Sequence, residues 1–124
     1  MKIKVKHCKL ADAEHKEEPR IFAHVFHHKD VICVCKAFDK LPIENKTGIL
    51  WHELGHLLGN KIYLYGPDDE EIMADMRAQA MGIRIWYDKD KIQWACEDIY
   101  HVAYQYNNNK TIVLKEKRKQ KYGI

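Results

Sequence analysis

The chain has 124 residues and a mass of 14.7 kDa, a length that points to one domain able to bury a core without staples. Hydrophobic residues make up 46% and charged residues 31%, which argues against wholesale disorder, and no apolar run approaches the roughly 18 residues of a membrane span. The net charge of +3 is uneven: residues 1–9 carry +4 and residues 110–124 carry +5, which leaves −6 on the stretch between.

Met1 to Lys6 alternates charged and apolar residues and lacks the continuous apolar core of a signal peptide, so a cytoplasmic location is expected. Lys2 to His7 has a period of two and predicts a strand with Ile3 and Val5 inward. Residues 10–19 are polar and acidic and read as a loop ending at Pro19. Arg20 to His27 and Val31 to Phe38 are β-rich runs joined through His28-Lys29-Asp30, a hairpin connection. His24, His27 and His28 have no partner at helical spacing and read as ordinary strand or turn histidines. With no export signal, Cys8, Cys33, Cys35 and Cys96 read as reduced thiols. Cys33 and Cys35 share one face of a strand and read as small buried hydrophobes.

Pro42 opens a helix over 43–58, in which Ile43, Thr47, Leu50, Leu54 and Leu57 form one stripe; Gly59-Asn60 stops it. Pro67-Asp68-Asp69 starts a second helix over about 70–87. Asp88 or Asp90 caps a third, with a stripe of Ile92, Ala95, Cys96, Ile99, Val102, Ala103 and Tyr106. Asn107-Asn108-Asn109 ends it, and Thr111 to Leu114 suits a short strand. The expected class is α+β, with about three strands followed by three helices. The domain is expected over 1–109, with a basic C-terminal tail over 110–124. The bland reading of that tail is a solvated terminus. A weak nucleic-acid contact through its lysines and arginine stays open.

The informative stretch is His52-Glu53-Leu54-Gly55-His56, an HExxH on a helix. Four residues turn a helix by about 400°, so His52 and His56 lie about 40° apart and about 6 Å along the axis. Two imidazoles then converge on one ion, and nitrogen ligands so placed suit Zn2+, one per chain. Glu53 stands beside them, where it can take a proton from a zinc-bound water. The stripe from Ile43 to Leu57 occupies the opposite side of this helix, so one face anchors and the other presents ligands. Gly48 and Gly55 share a stripe beside the histidines and imply close approach by another element.

Zinc needs a third protein ligand. HExxHxxG is matched through Gly59, but the position where a metzincin has His or Asp is Ile62. The acidic run Asp68-Asp69-Glu70-Glu71 offers the alternatives. Glu71 has Asp75 one turn on and shares its face with Ala78 and Gly82, where helices can approach closely, whereas Glu70 sits about 100° away. Glu71 is therefore the expected ligand, with Asp75 orienting a ligating imidazole from behind.

At these residues, HELGH followed by E-x-x-A-D-x-x-A, the chain resembles the gluzincin metallopeptidases, most closely the small ImmA/IrrE-type intracellular proteases. The likeness covers residues 43–85, and the middle acid of the ImmA-type E-x-E-A is Met73 here. It implies a minimal zincin-like fold whose edge strand, here Val31 to Ala37, binds an extended protein or peptide substrate. It also implies zinc-dependent endopeptidase activity, with Glu53 serving the zinc-bound water and then the leaving amine. A further electrophile for the oxyanion is expected, with His101, Tyr104, Tyr106, Tyr63 and Tyr65 as candidates. The alternative is a protein-binding or regulatory module that keeps the zincin scaffold and its zinc but cleaves little.

Overall fold

The structure, a computed structural model, describes residues 2–26, 29–60, 68–80, 83–88, 93–98 and 111–113. Strand β1 (Lys2–His7) is followed by helix α1 (Lys9–Glu17), strand β2 (Ala23–Phe26) and strand β3 (Val31–Val34). A 3-10 turn over Lys36–Lys40 leads to helix α2 (Ile43–Leu57). Helix α3 (Glu70–Ala80), strands β4 (Ile83–Asp88) and β5 (Gln93–Asp98) and strand β6 (Thr111–Val113) complete the order. The class is α+β.

Four strands form one mixed sheet in the order β2-β3-β1-β6, and β4 pairs with β5 in a separate antiparallel ribbon. β1 and β3 run parallel, while β2 is antiparallel to β3 and β6 antiparallel to β1. Register and strand alternation sort the side chains. Ile3, Val5, Ile32 and Val34 share one face and are all buried. Lys4, Lys6 and Cys33 share the other, where both lysines are exposed. The bend between β2 and β3 holds Asp30 at φ 50°, a left-handed conformation that Asp tolerates better than most residues.

α2 is the centre of the molecule. It packs on β2, β3, α3, β4 and β5, and its burial extends round the helix, from Leu50 and Leu54 to Trp51, His52 and Glu53. A helix enclosed on all sides needs every polar group answered by a neighbour. Asn45, 1% exposed, donates from Nδ2 to the Trp94 carbonyl at 3.4 Å and ties α2 to β5. Thr47 turns its hydroxyl back to the Ile43 carbonyl at 2.7 Å. Ile43, expected in the anchoring stripe, is the first residue of α2 and is 63% exposed.

Several expected elements differ. Residues 9–17 are helical rather than a loop: Lys, Leu, Ala and Glu are good helix formers, and Ala11 is the helix's one buried residue, too small an apolar face to show as periodicity. The second helix ends at Ala80 and not near 87. The third helix is not formed across 93–98, which is strand β5 opposite β4. Ile-Arg-Ile-Trp-Tyr is β-branched and aromatic, and Tyr87 and Trp94 sit in register across the ribbon, so cross-strand packing outweighs a helical spacing of apolar residues. The edge strand expected over Val31 to Ala37 ends at Val34, with Lys36 and Ala37 in the 3-10 turn, and it is interior, since β3 has neighbours on both sides; among the described residues the open edge beside α2 belongs to β2. Residues 111–113 pair with β1, so the sheet reaches into the segment assigned to the basic tail. No helix among the described residues is long and apolar enough to cross a membrane.

Candidate metal centre

α2 and α3 meet backbone to backbone. A Cβ on Gly55 would lie 2.0 Å from the Ala74 carbonyl oxygen, so only glycine permits this approach. Ala74 and Ala78 are fully buried on the facing side of α3. Arg77 locks the same junction. It is 7% exposed, donates from Nη1 to the Gly55 carbonyl at 3.0 Å and forms an ion pair with Glu70. This contact brings the first turn of α3 over the last two turns of α2.

Three donor atoms converge there. Glu71 Oε2 lies 2.8 Å from His52 Nε2 and 3.4 Å from His56 Nε2, and the two Nε2 atoms are 3.2 Å apart. On the far side of its ring, His52 Nδ1 meets Asp75 Oδ1 at 2.7 Å. Asp75 thus holds the ring so that Nε2 faces Glu71 and His56. Trp94 packs on the His52 ring at 4.9 Å between centroids, tilted by 33°, and Tyr87 meets Trp94 edge to face. Glu70 lies 3.6 Å from His56 Nδ1 but is engaged by Arg77. Its nearest histidine nitrogen is the one facing away from the triangle.

Electrostatics follow from this packing. Burial pushes the Glu53 carboxyl up to about 8. Burial pulls His52 down, but its hydrogen bond to Asp75 and the charges of Glu53, Asp75 and Glu71 outweigh it, and the net shift is upward. His56 is lowered, by burial and then by the charge of His52. The guanidinium of Arg77 holds Glu70 below the usual carboxylate range. A cavity of about 570 Å³ opens on the site, lined by Phe22 to Val25, by His52, Glu53 and His56, and by Glu71, Tyr87 and Trp94.

Comparison of the chain with protein-family models, with curated proteins and with solved structures finds no significant match. What the site can hold must be read from its own atoms. A tetrahedral ion with bonds of about 2.1 Å separates its ligand atoms by about 3.3–3.4 Å; the triangle of His52, His56 and Glu71 has sides of 3.2, 3.4 and 2.8 Å. Two imidazole nitrogens and a carboxylate at that spacing could bind a metal ion and suit zinc by donor chemistry.

The structure therefore brings His52, Glu53, His56, Glu71 and Asp75 together on two adjoining helices. His101, Tyr63, Tyr65, Tyr104 and Tyr106 lie outside the described residues. Three contributors escaped the sequence reading. Arg77 stands two helical turns after Glu70, a spacing that could have flagged the pair. Trp94 and Tyr87 carried no signal beyond being aromatic in alternating runs.

Proposed function

We propose that this chain is a zinc-dependent metalloendopeptidase of minimal zincin-like fold, of the gluzincin kind that the ImmA/IrrE-type proteases represent, acting on an intracellular protein. The observation that carries the reading is the triangle of His52 Nε2, His56 Nε2 and Glu71 Oε2 with a buried Glu53 on the same helix turn, all facing one cavity. His52, His56 and Glu71 would hold the ion. When bound, zinc supplies a Lewis acid for a peptide carbonyl and for water. Glu53 then accepts the proton of the attacking water and passes it to the departing amine. Its place on the same turn as both histidines, buried and lining the cavity, keeps it within the site for both transfers. Asp75 fixes the tautomer of His52, and Trp94 limits its tilt.

The substrate groove would run along β2. Its outer edge has no hydrogen-bonded strand among the described residues, and Phe22 to Val25 line the cavity. An extended peptide can add there as a further strand, its carbonyls passing the metal centre. Tyr87, which also lines the cavity, carries a phenol that would serve a developing oxyanion. The free thiols Cys8, Cys33 and Cys35 fit a reducing compartment.

Metal analysis and a peptide-library assay test this directly. Zinc should be bound by the wild type and by Glu53→Gln, and the rate should fall on the order of 10²–10⁴-fold in that variant, as a lost general base. Glu53→Gln should also retain its target in a pull-down from cell extract. Bound zinc with no hydrolysis by the wild type would leave a binding module; failure to bind zinc would remove the reading altogether.

A further inference from the structure

A second group of potential ligands lies where β1, β2 and β3 adjoin, with His24 and Glu14 among the residues that line the same cavity. His24 and Cys33 are direct cross-strand partners in the β2–β3 ladder, so their side chains leave the same face. Cys8 follows the last residue of β1 and serves as the N-cap of α1, with its backbone N–H on the Val34 carbonyl at 3.3 Å. That bond sets its side chain beside Cys33. The two thiols and a ring nitrogen of His24 all lie within 4.8 Å of one another, with His24 Nε2 3.9 Å from Cys8 Sγ. A tetrahedral ion with Zn–S bonds of about 2.3 Å spaces its sulfurs by about 3.8 Å, so a slight contraction closes the set.

Behind the histidine stands a carboxylate. Glu14 Oε1, from α1, is 2.7 Å from His24 Nδ1. That nitrogen is buried and has no aligned hydrogen-bond acceptor, so the Glu14–His24 pair is close but not yet seated. The arrangement repeats that of Asp75 and His52: a carboxylate on the rear nitrogen and the front nitrogen turned toward other metal-binding groups.

We propose that Cys8, His24 and Cys33 form a second metal centre, a thiolate site for zinc with Glu14 as the carboxylate behind His24. The donor set differs from that of the first centre, two sulfurs and a nitrogen against two nitrogens and an oxygen, and the inference does not rest on peptidase activity. Its ligands come from the end of β1, from β2 and from β3, so the ion would cross-link three adjacent strands and pin the open edge of the sheet. Without metal the Cys33 thiol is kept protonated, pushed up to about 12 chiefly by burial with Cys8 beside it. Zinc binding replaces the thiol protons with S–Zn bonds and releases those protons to solvent, and uptake should strengthen as pH rises.

Cobalt(II), titrated into the reduced, metal-free full chain, separates the two centres. Thiolate ligation gives an intense sulfur-to-cobalt charge-transfer absorption in the near ultraviolet, which a site of histidines and a carboxylate cannot produce. The band is expected in the wild type and in His52→Ala, lost in Cys8→Ser, and strongly reduced in His24→Gln. Circular dichroism on each protein shows that it is folded. Cys8 and His24 are both half-buried, so at least one of these variants should keep its fold. Zinc per chain should drop by one in Cys8→Ser and, independently, by one in His56→Ala. A folded wild type with no charge-transfer band, a band unchanged in the folded variants, or a Cys8–Cys33 disulfide formed in place of metal uptake would overturn the proposal. A wild type that shows the thiolate band but loses no zinc on His56→Ala would count against the peptidase reading alone.

Discussion

Asp75 and Glu70 illustrate how little separates a working carboxylate from a structural one. Both approach a histidine, but Asp75 takes the rear nitrogen of His52 at 2.7 Å, while Glu70 is held by Arg77. Asp75→Ala should therefore weaken zinc affinity roughly 10–100-fold by freeing the His52 ring, whereas Glu70→Ala should change it far less. Competition with a chelator measures both, and a larger loss in Glu70→Ala than in Glu71→Ala would exchange their roles. Glu53 yields a prediction about pH. Burial raises its carboxyl from the ordinary 4.5 to about 8, so between those values the folded chain keeps a proton that the unfolded chain has released. The stability due to this group is complete below about 4.5, falls as pH rises, and is gone above about 8. Metal-free wild type should lose melting temperature between about pH 5 and about pH 8 relative to Glu53→Gln, which has no such proton. His52 and His56 shift in opposite directions, and the charge of Glu53 contributes to raising His52, so the difference between the two proteins reports Glu53 together with His52. Equal slopes would place Glu53 in a wetter setting.

Among the elements, α2 and the first turns of α3 were legible because their chemistry and their periodicity coincide: HExxH fixes ligand spacing, and Glu71, Asp75 and Ala78 share one face. Gly55 announced a close approach, and the structure supplies it at Ala74. Gly55→Ala must push the helices apart, at about 1–3 kcal/mol or more as overpacking against backbone. The same shift should slacken the ligand triangle, so melting temperature and zinc affinity should fall together. β4 and β5 were illegible for a physical reason. Ile92, Cys96 and Ile99 are spaced as in a helix, but a two-stranded ribbon is decided by partners in register, here Tyr87 with Trp94 and Ile85 with Cys96, which a single segment does not reveal. α1 was missed because Ala11 is its only buried residue. Since β5 delivers Trp94 to His52, Trp94→Ala should lower zinc affinity without touching a ligand. Unchanged affinity would reduce the indole to a spectator.

Across the whole molecule, the sheet is assembled from distant parts of the chain: β6 closes on β1, with Ile3 opposite Ile112. A chain cut after Asn109 loses that strand and leaves one edge of β1 bare, while a chain cut after Leu114 keeps it and loses most of the basic segment. The shorter chain should self-associate in size-exclusion chromatography and the longer one should remain well behaved, since unpaired edges recruit further strands. Identical behaviour would make β6 dispensable. The same pairing sets an order of events during synthesis. The residues of both candidate centres leave the ribosome long before Val113, so the emerging chain can gather its ligands while β1 still waits for its last neighbour. Through that interval the edge is guarded by what β1 itself carries: Lys4 and Lys6, exposed on alternate positions, put charge where an intruding strand from another nascent chain would have to lie.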